Sequence, residues 1–427
     1  MLSNSRTNGH AKSSMLSALP FACVMLLVLL FIGTIYCSFS FTLITAFKDK
    51  VMMKTTRQYI VKPTYTELHG KSRLINTLLS VEEETTEVVN YSEGPDTLVC
   101  PLNMSAEERK TWIKEKVPEF GIFKSTALSK QFERRADKFL NGGYCEAQFF
   151  MTWIAPVESF GKREFVTLET LFKAHPKGCL MILSRSMDSK HGKHILKPLI
   201  ERGFKATALA PDLSFLLKKT PAEAWLAEMK EGKRDPGEIS LAQNLSNLLR
   251  LAVLYKYGGI YLDTDFIVLK KLSDLQNSIG AQSMDTKSNS WNRLNNAILI
   301  FDKGHPILFK FLEGFSRNFD GNRWGHNGPH LLTRVVKKMG ERPDHNMTIL
   351  PSFAFYPVDW KKIFEFFRKP SNEAERKRKA ASLLQLINAT YSLHLWNKET
   401  SKTKIEEGSI IDHLISDHCI LCMPTYA

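Results

Sequence analysis

Apolar and polar positions divide the chain into three stretches of different period. Residues 15–47 hold no charged side chain, and 21–32 are wholly apolar. About 20 helical residues cross a bilayer core, so this stretch predicts a membrane-spanning helix with length to spare for tilt. A cleaved signal peptide would carry a shorter apolar core, about 7–15 residues, followed by a small-x-small site. The expected layout is a tail over 1–17, an uncleaved signal anchor over 18–47 and a stem over 48–140. The stem lacks sustained periodicity, as the acidic run 82–84 and the polar stretch 91–96 illustrate, apart from a helix predicted over 105–116.

The pattern changes from Cys145 onward. Residues 148–154 form a short apolar run between Gly142-Gly143 and Pro156, which predicts a buried strand. Helical spacing follows over 159–174, then a strand over 179–183, a helix over 195–202 and a strand over 204–209. Strands alternating with helices at this spacing predict βαβ units. The expected fold class is therefore α/β over 141–427, a Rossmann-like, mostly parallel sheet with flanking helices. Ligands on such sheets bind beyond the carboxyl ends of the strands. The basic run 376–379 follows Glu373 and Glu375 and reads as a charged helix face.

One segment, 240–265, combines all of these signals. Ser240 and Gln243 have the spacing of a capping box. Leu241, Leu245, Leu248, Leu249 and Ala252 then recur at helical period, giving one apolar face. Asn247 and Arg250 are three residues apart and share another face, from which both could reach one ligand. Gly258-Gly259 ends the helix, 260–262 is a short strand, and Asp263 and Asp265 follow. Two carboxylates spaced i, i+2 at a strand end point to the same side. Together they can supply oxygen ligands to a hard divalent cation. Such a cation neutralises charge that develops on a diphosphate leaving group. An isolated Asp-x-Asp is usually a solvated turn; the helix, glycine pair and apolar strand before it give this one its meaning.

Charge and cysteine usage refine this picture. The net charge of +14 suits nucleic acid, anionic lipid or a phosphate-bearing substrate. No Cys/His finger spacing and no aromatic RNA-binding signature occurs, so no nucleic-acid partner is expected. Lys48, Lys50, Lys54, Arg57 and Lys62 after the span outnumber Arg6 and Lys12 before it, and by the positive-inside rule alone the body would be cytosolic. Sequons at Asn90, Asn103, Asn244, Asn346 and Asn388 and five cysteines beyond the span oppose that count. The expected topology is single-pass type II with a lumenal body. An oxidising lumen would allow two disulfides and one free thiol among Cys100, Cys145, Cys179, Cys419 and Cys422.

The segment 240–265 resembles the Asp-x-Asp sugar-binding region of the alpha-1,4-glycosyltransferase family, of the globotriaosylceramide-synthase type with many plant relatives. The resemblance extends from about Phe149 to Trp396 and includes 291–300, 325–333 and the late strand 391–397. It implies a GT-A fold, Golgi residence, a UDP-sugar donor and dependence on Mn²⁺ or another divalent cation. It also implies retaining transfer of a hexosyl unit, galactose or N-acetylglucosamine, to a glycan or glycolipid hydroxyl. By the same resemblance Asp263 and Asp265 are catalytic and, with His394, bind the metal. Asn247, Arg250, Tyr261, Asp263, Asn295 and Asn296 contact the donor, and His326, Asn327 and Gly328 line the acceptor pocket. The wider pattern often has Asp where this chain has Asn247, which leaves the donor sugar open. Asp285 and Asp302 are the acids placed to serve as a nucleophile; transfer on one face of the sugar without a protein nucleophile is preferred. A non-catalytic, membrane-tethered glycan-binding protein on the same fold is the alternative.

Overall fold

The computed structural model describes residues 99–422 apart from 102, 286, 287, 289 and 341–345, all within one unit of the chain. The tail, the predicted membrane span and residues 48–98 of the stem lie outside the described residues. Among the described residues no helix is long and apolar enough to cross a membrane.

Helix α1 (Ala106–Lys116) begins where Ser105 and Glu108 form a reciprocal capping box. Helix α2 (Phe132–Asn141) follows. Both belong to the 48–140 stretch read as stem, yet Ile113, Phe132, Ala136 and Leu140 are buried in the main core. Removing each large apolar side chain from water is worth about 1.5–3 kcal/mol, so this part of the chain packs as body. Arg109 fixes it further through a bidentate pair with Asp235 at 2.7 and 2.8 Å. The apolar residues are too widely spaced for the periodicity to reveal them.

The strands form as the apolar runs predict. β1 (Gln148–Thr152), β2 (Cys179–Leu183) and β3 (Lys205–Leu209) pair in parallel. Helix α3 (Lys162–Ala174) makes the first crossover and α4 (Lys190–Ile200) the second. After α5 (Ala222–Lys230) and α6 (Leu241–Tyr257), β4 (Gly259–Leu262) adds in parallel to β1. Short β5 (Phe266–Val268), β6 (Ser278–Met284) and β7 (Trp291–Phe301) follow. Helices α7 (Pro306–Arg317) and α8 (Pro329–Met339) lead to β8 (Thr348–Leu350). Helix α9 (Glu373–Ala389), β9 (Ser392–His394) and α10 (Ile410–His418) complete the body.

The main sheet has the order β3-β2-β1-β4-β7-β6-β8, and among the described residues β5 pairs with β9 alone. The expected α/β class with a mostly parallel sheet is present, with β7 antiparallel to both neighbours. Side chains alternate across it. Phe150, Met181, Tyr261 and Leu299 enter the core on the side of α6. Phe149, Met151, Leu180, Ile182 and Ile260 enter the core against α3. A third cluster, including Ile267, Leu393 and Leu395, packs the β5–β9 pair against α10.

Cys145 pairs with Cys179 and Cys419 with Cys422, while Cys100 is a buried thiol. The first bridge spans a sequence separation of 34 and ties the entry of β1 to the entry of β2. Closing a loop of that length stabilises a fold by about 3–4 kcal/mol in the chain-entropy account. Cys145→Ser is therefore expected to lower the thermal midpoint by on the order of 5–10 °C, and an unchanged melting curve would refute it.

Candidate functional site

The site forms where α6 and β4 deliver polar groups to the carboxyl end of the sheet. Gly258 and Gly259, at φ +70° and +105°, end the helix and turn the chain into β4. A Cβ on Gly258 would lie 2.5 Å from the Lys303 amide nitrogen, and one on Gly259 2.6 Å from the Gln148 carbonyl oxygen. Both positions thus require glycine for backbone angle and for space. At the other end of α6 the expected capping box is absent: the Ser240 side chain makes no cap. The Gln243 amide donates to the Ser240 carbonyl oxygen instead.

Asp263 leaves β4 held on two sides. The Tyr261 hydroxyl donates to its Oδ1 at 2.7 Å, and the Arg250 guanidinium reaches Oδ2 and Oδ1 at 3.1 Å each. Arg250 is buried, lies over the Tyr261 ring, and also donates to the Asn296 carbonyl at 2.8 Å and the Ser246 hydroxyl at 2.9 Å. Thr152 bonds both Ser246 and Tyr261. Burial alone would lower the Arg250 pKa, but the facing Asp263 charge raises it, so the guanidinium stays charged. Burial also raises the Tyr261 pKa, which keeps its hydroxyl a donor. Thr152 and Ser246 carry little signal in the sequence. Their only signals were a hydroxyl at the end of β1 and a serine one turn before Arg250.

Asp265 has a different environment. Its Oδ1 is 3.1 Å from His394 Nε2, and its Oδ2 accepts from the Asn397 amide at 2.9 Å. Antiparallel pairing of β5 with β9 sets Phe266 opposite His394, and Leu395 donates its amide to the Asp265 carbonyl. The His394 ring lies between Phe266, stacked at 4.5 Å, and Trp396 at 4.1 Å. Trp396 adopts the left-handed region at φ +55°, a strained choice for a bulky residue. That turn aims the next amide, Asn397, at Asp265. Burial pushes the Asp265 carboxyl up, but the His394 ring and the Asn397 amide outweigh it and hold the group below the usual carboxylate range.

A carboxylate and an imidazole are donor types that a divalent cation takes. Asp265 Oδ1 and His394 Nε2, in hydrogen-bonding contact at 3.1 Å, would be the oxygen and nitrogen donors to such a cation. Beside them, His394 Nδ1 and Asn397 Oδ1 are buried with no hydrogen-bond partner among the described residues, and a buried polar group left unpaired costs about 1–3 kcal/mol. Asp263 is instead committed to Arg250 and Tyr261. Among the described residues no three His, Cys, Asp or Glu side chains converge as a metal-holding group.

The remaining predicted residues separate by partner. Asn296 donates to Asn247 Oδ1 at 2.8 Å in the wall above Arg250. Asn295, its strand neighbour, donates instead to Gln282 on β6. Adjacent strand residues face opposite ways, so the two asparagines cannot act as a pair. Asn327 bonds Asn244 and the Asp320 backbone, and His326 bonds the Asn318 carbonyl oxygen and Arg334. Both therefore brace the loop before α8. Gly328 approaches the wall itself: a Cβ there would meet Asn247 Oδ1 at 2.8 Å and Asn296 Nδ2 at 3.0 Å. Gly328→Ala is expected to break the Asn247–Asn296 bond, costing about 1–2 kcal/mol of stability and raising KM for the donor more than it lowers kcat. Wild-type kinetics in this variant would show that the wall tolerates movement.

Of the two acids that could serve as a nucleophile, Asp302 lies away from the site and Asp285 is engaged locally. Because β7 runs antiparallel to β4, Phe301 pairs with Gly259 and Asp302 lies at the opposite end of the sheet from Asp263. There Asp302 accepts from Asn277. Asp285 accepts from Ser288 within its own turn. The sequon asparagine Asn244 is buried against Asn327, which prevents glycan attachment in the folded chain.

Comparison with known proteins gives two family matches. A model of the alpha 1,4-glycosyltransferase conserved region matches residues 300–426. A model of the glycosyltransferase sugar-binding region containing the DXD motif matches 161–285. The lactosylceramide 4-alpha-galactosyltransferase of Mus musculus is 36% identical over 57% of this chain and 65% of its own length. That of Pongo pygmaeus is 38% identical over 46% of this chain and 85% of its own length. A human alpha-1,4-N-acetylglucosaminyltransferase is 28% identical over 49% of this chain and 58% of its own length. The chain thus spans less than two thirds of the length of several curated relatives.

Proposed function

We propose a function from one premise: the chain belongs to the alpha-1,4-glycosyltransferase family. It is a metal-dependent hexosyltransferase of GT-A type, moving galactose or N-acetylglucosamine from a UDP-sugar to a glycan or glycolipid hydroxyl. The two sugars are those in the names of its relatives. The observation that carries the reading is the pairing of Asp265 with His394 beside the Arg250–Asp263 network. Asp265 and His394 would hold Mn²⁺ or a similar cation, with Asp263 next to it. When bound, the cation supplies positive charge to the diphosphate that departs from the sugar.

The protein's own groups do the rest. Arg250 and Tyr261 fix the Asp263 carboxylate, leaving it 29% exposed. Asn247 and Asn296 offer amide groups to sugar hydroxyls, and Gly328 lets the α8 loop close against them. With Asp302 at the far end of the sheet and Asp285 tied to its turn, a same-face displacement fits better than a protein nucleophile. Retention of configuration, Golgi residence and a type II anchor over 18–47 belong to this proposal. The purified body, incubated with a panel of UDP- and GDP-sugars, is expected to hydrolyse one or two UDP-sugars only when Mn²⁺ is present. Failure with every donor would overturn the reading.

A further inference from the structure

At the rim of the site, Arg293 at the start of β7, Arg323 and Trp324 in the loop before α8, and His330 and Arg334 on α8 gather on one surface. The charge there is one-sided. Arg293 and Arg323 make no ion pair or side-chain hydrogen bond among the described residues, and Arg334 contacts only His326. Asp320 is the acid that faces the group, and it is engaged by the Asn322 amide. Burial, followed by the charges of Arg293 and Arg334, lowers the His330 pKa to about 4, so the ring is neutral among the arginines. Three guanidinium groups against one carboxylate leave the surface net positive; like charges held together repel, and an anion joining them relieves that repulsion.

Two further features connect this surface to the reaction centre. Trp324 is 43% exposed, unusual for so large a ring, and the Lys398 ammonium lies 4.0 Å from its centroid. Lys398 directly follows Asn397, whose amide holds Asp265. The same loop also reaches the donor wall at Gly328. A sugar ring stacked on Trp324 would therefore lie beside the site, with guanidinium groups at hand for an acidic substituent. Guanidinium forks match the planar or tetrahedral oxygens of carboxylate, sulfate and phosphate.

We infer that the acceptor is an acidic glycan, whose carboxylate, sulfate or phosphate is taken by Arg293, Arg323 and Arg334 while a sugar stacks on Trp324. The inference rests on the proposed transferase function and defines its acceptor class. The test is calorimetric binding of the body to lactose and to its sialylated, sulfated and phosphorylated forms. At least one acidic form is expected to bind about tenfold or more tightly than lactose, and the form that wins identifies the acidic group. That advantage should vanish in R323A/R334A, and R323Q alone, at an exposed position, should reduce it if the double variant does not fold. Equal binding of all four sugars, or an advantage that survives these substitutions, overturns the inference. UDP-sugar hydrolysis by the unaltered protein is measured separately. Acid preference without hydrolysis would sink the transferase reading alone, and hydrolysis without acid preference would sink only the acceptor inference.

Discussion

Asp265→Asn is expected to abolish Mn²⁺-dependent UDP-sugar turnover while leaving the fold intact. The substitution keeps size and preserves an acceptor for the Asn397 amide, which now reaches Oδ2 at 2.9 Å. It removes the negative charge that faces His394. A cation bound by a neutral amide and an imidazole loses most of its electrostatic attraction. Several kcal/mol of charge stabilisation at the departing diphosphate disappear with it, which corresponds to about a thousandfold or more in rate. Three measurements separate chemistry from folding: the melting curve, Mn²⁺ binding, and UDP release against Mn²⁺ concentration. A variant that melts like the parent but neither binds Mn²⁺ nor releases UDP fits the assignment. Turnover near the parent rate would remove Asp265 from the metal site.

The second large effect is expected at Arg250. This guanidinium is 2% exposed, and four groups depend on it: the Asp263 carboxylate, the Asn296 carbonyl, Ser246 and the face of Tyr261. Arg250→Met fills most of the volume but leaves Asp263 beside Tyr261 without its counter-charge. Removing one partner of a buried pair costs about 3–5 kcal/mol. Because Asp263 retains solvent contact at 29% exposure, the low end of that range, about 3 kcal/mol, applies here. The midpoint in urea should fall accordingly, and donor affinity should fall with it as the carboxylate moves. Arg250→Lys keeps the charge but cannot reach carboxylate, carbonyl and hydroxyl together, so its stability should lie between those of Met and Arg. A Met variant as stable as the parent would mean that Asp263 is oriented by Tyr261 alone.

Residues close in sequence determined much of this protein without help. The run 179–183 is a strand because an uninterrupted apolar pentapeptide can only be buried. Helix α6 ends at Gly258 because glycine alone fits the angle and the contact with Lys303. The i, i+3 spacing of Asn247 and Arg250 does bring both to the site, since helical period is a local property.

Tertiary structure decided the rest. His394 meets Asp265 across 129 positions because β5 and β9 pair, which depends on partners rather than on either segment. The reversed direction of β7 sends Asp302 away from the site. Burial of α1 and α2 makes body of what looked like stem, because the core they complete is built by residues from distant parts of the chain. The arginines at 293, 323 and 334 come together only when β7 and α8 pack. A pattern along the chain reports which face of an element is apolar; it does not report which other element that face will meet.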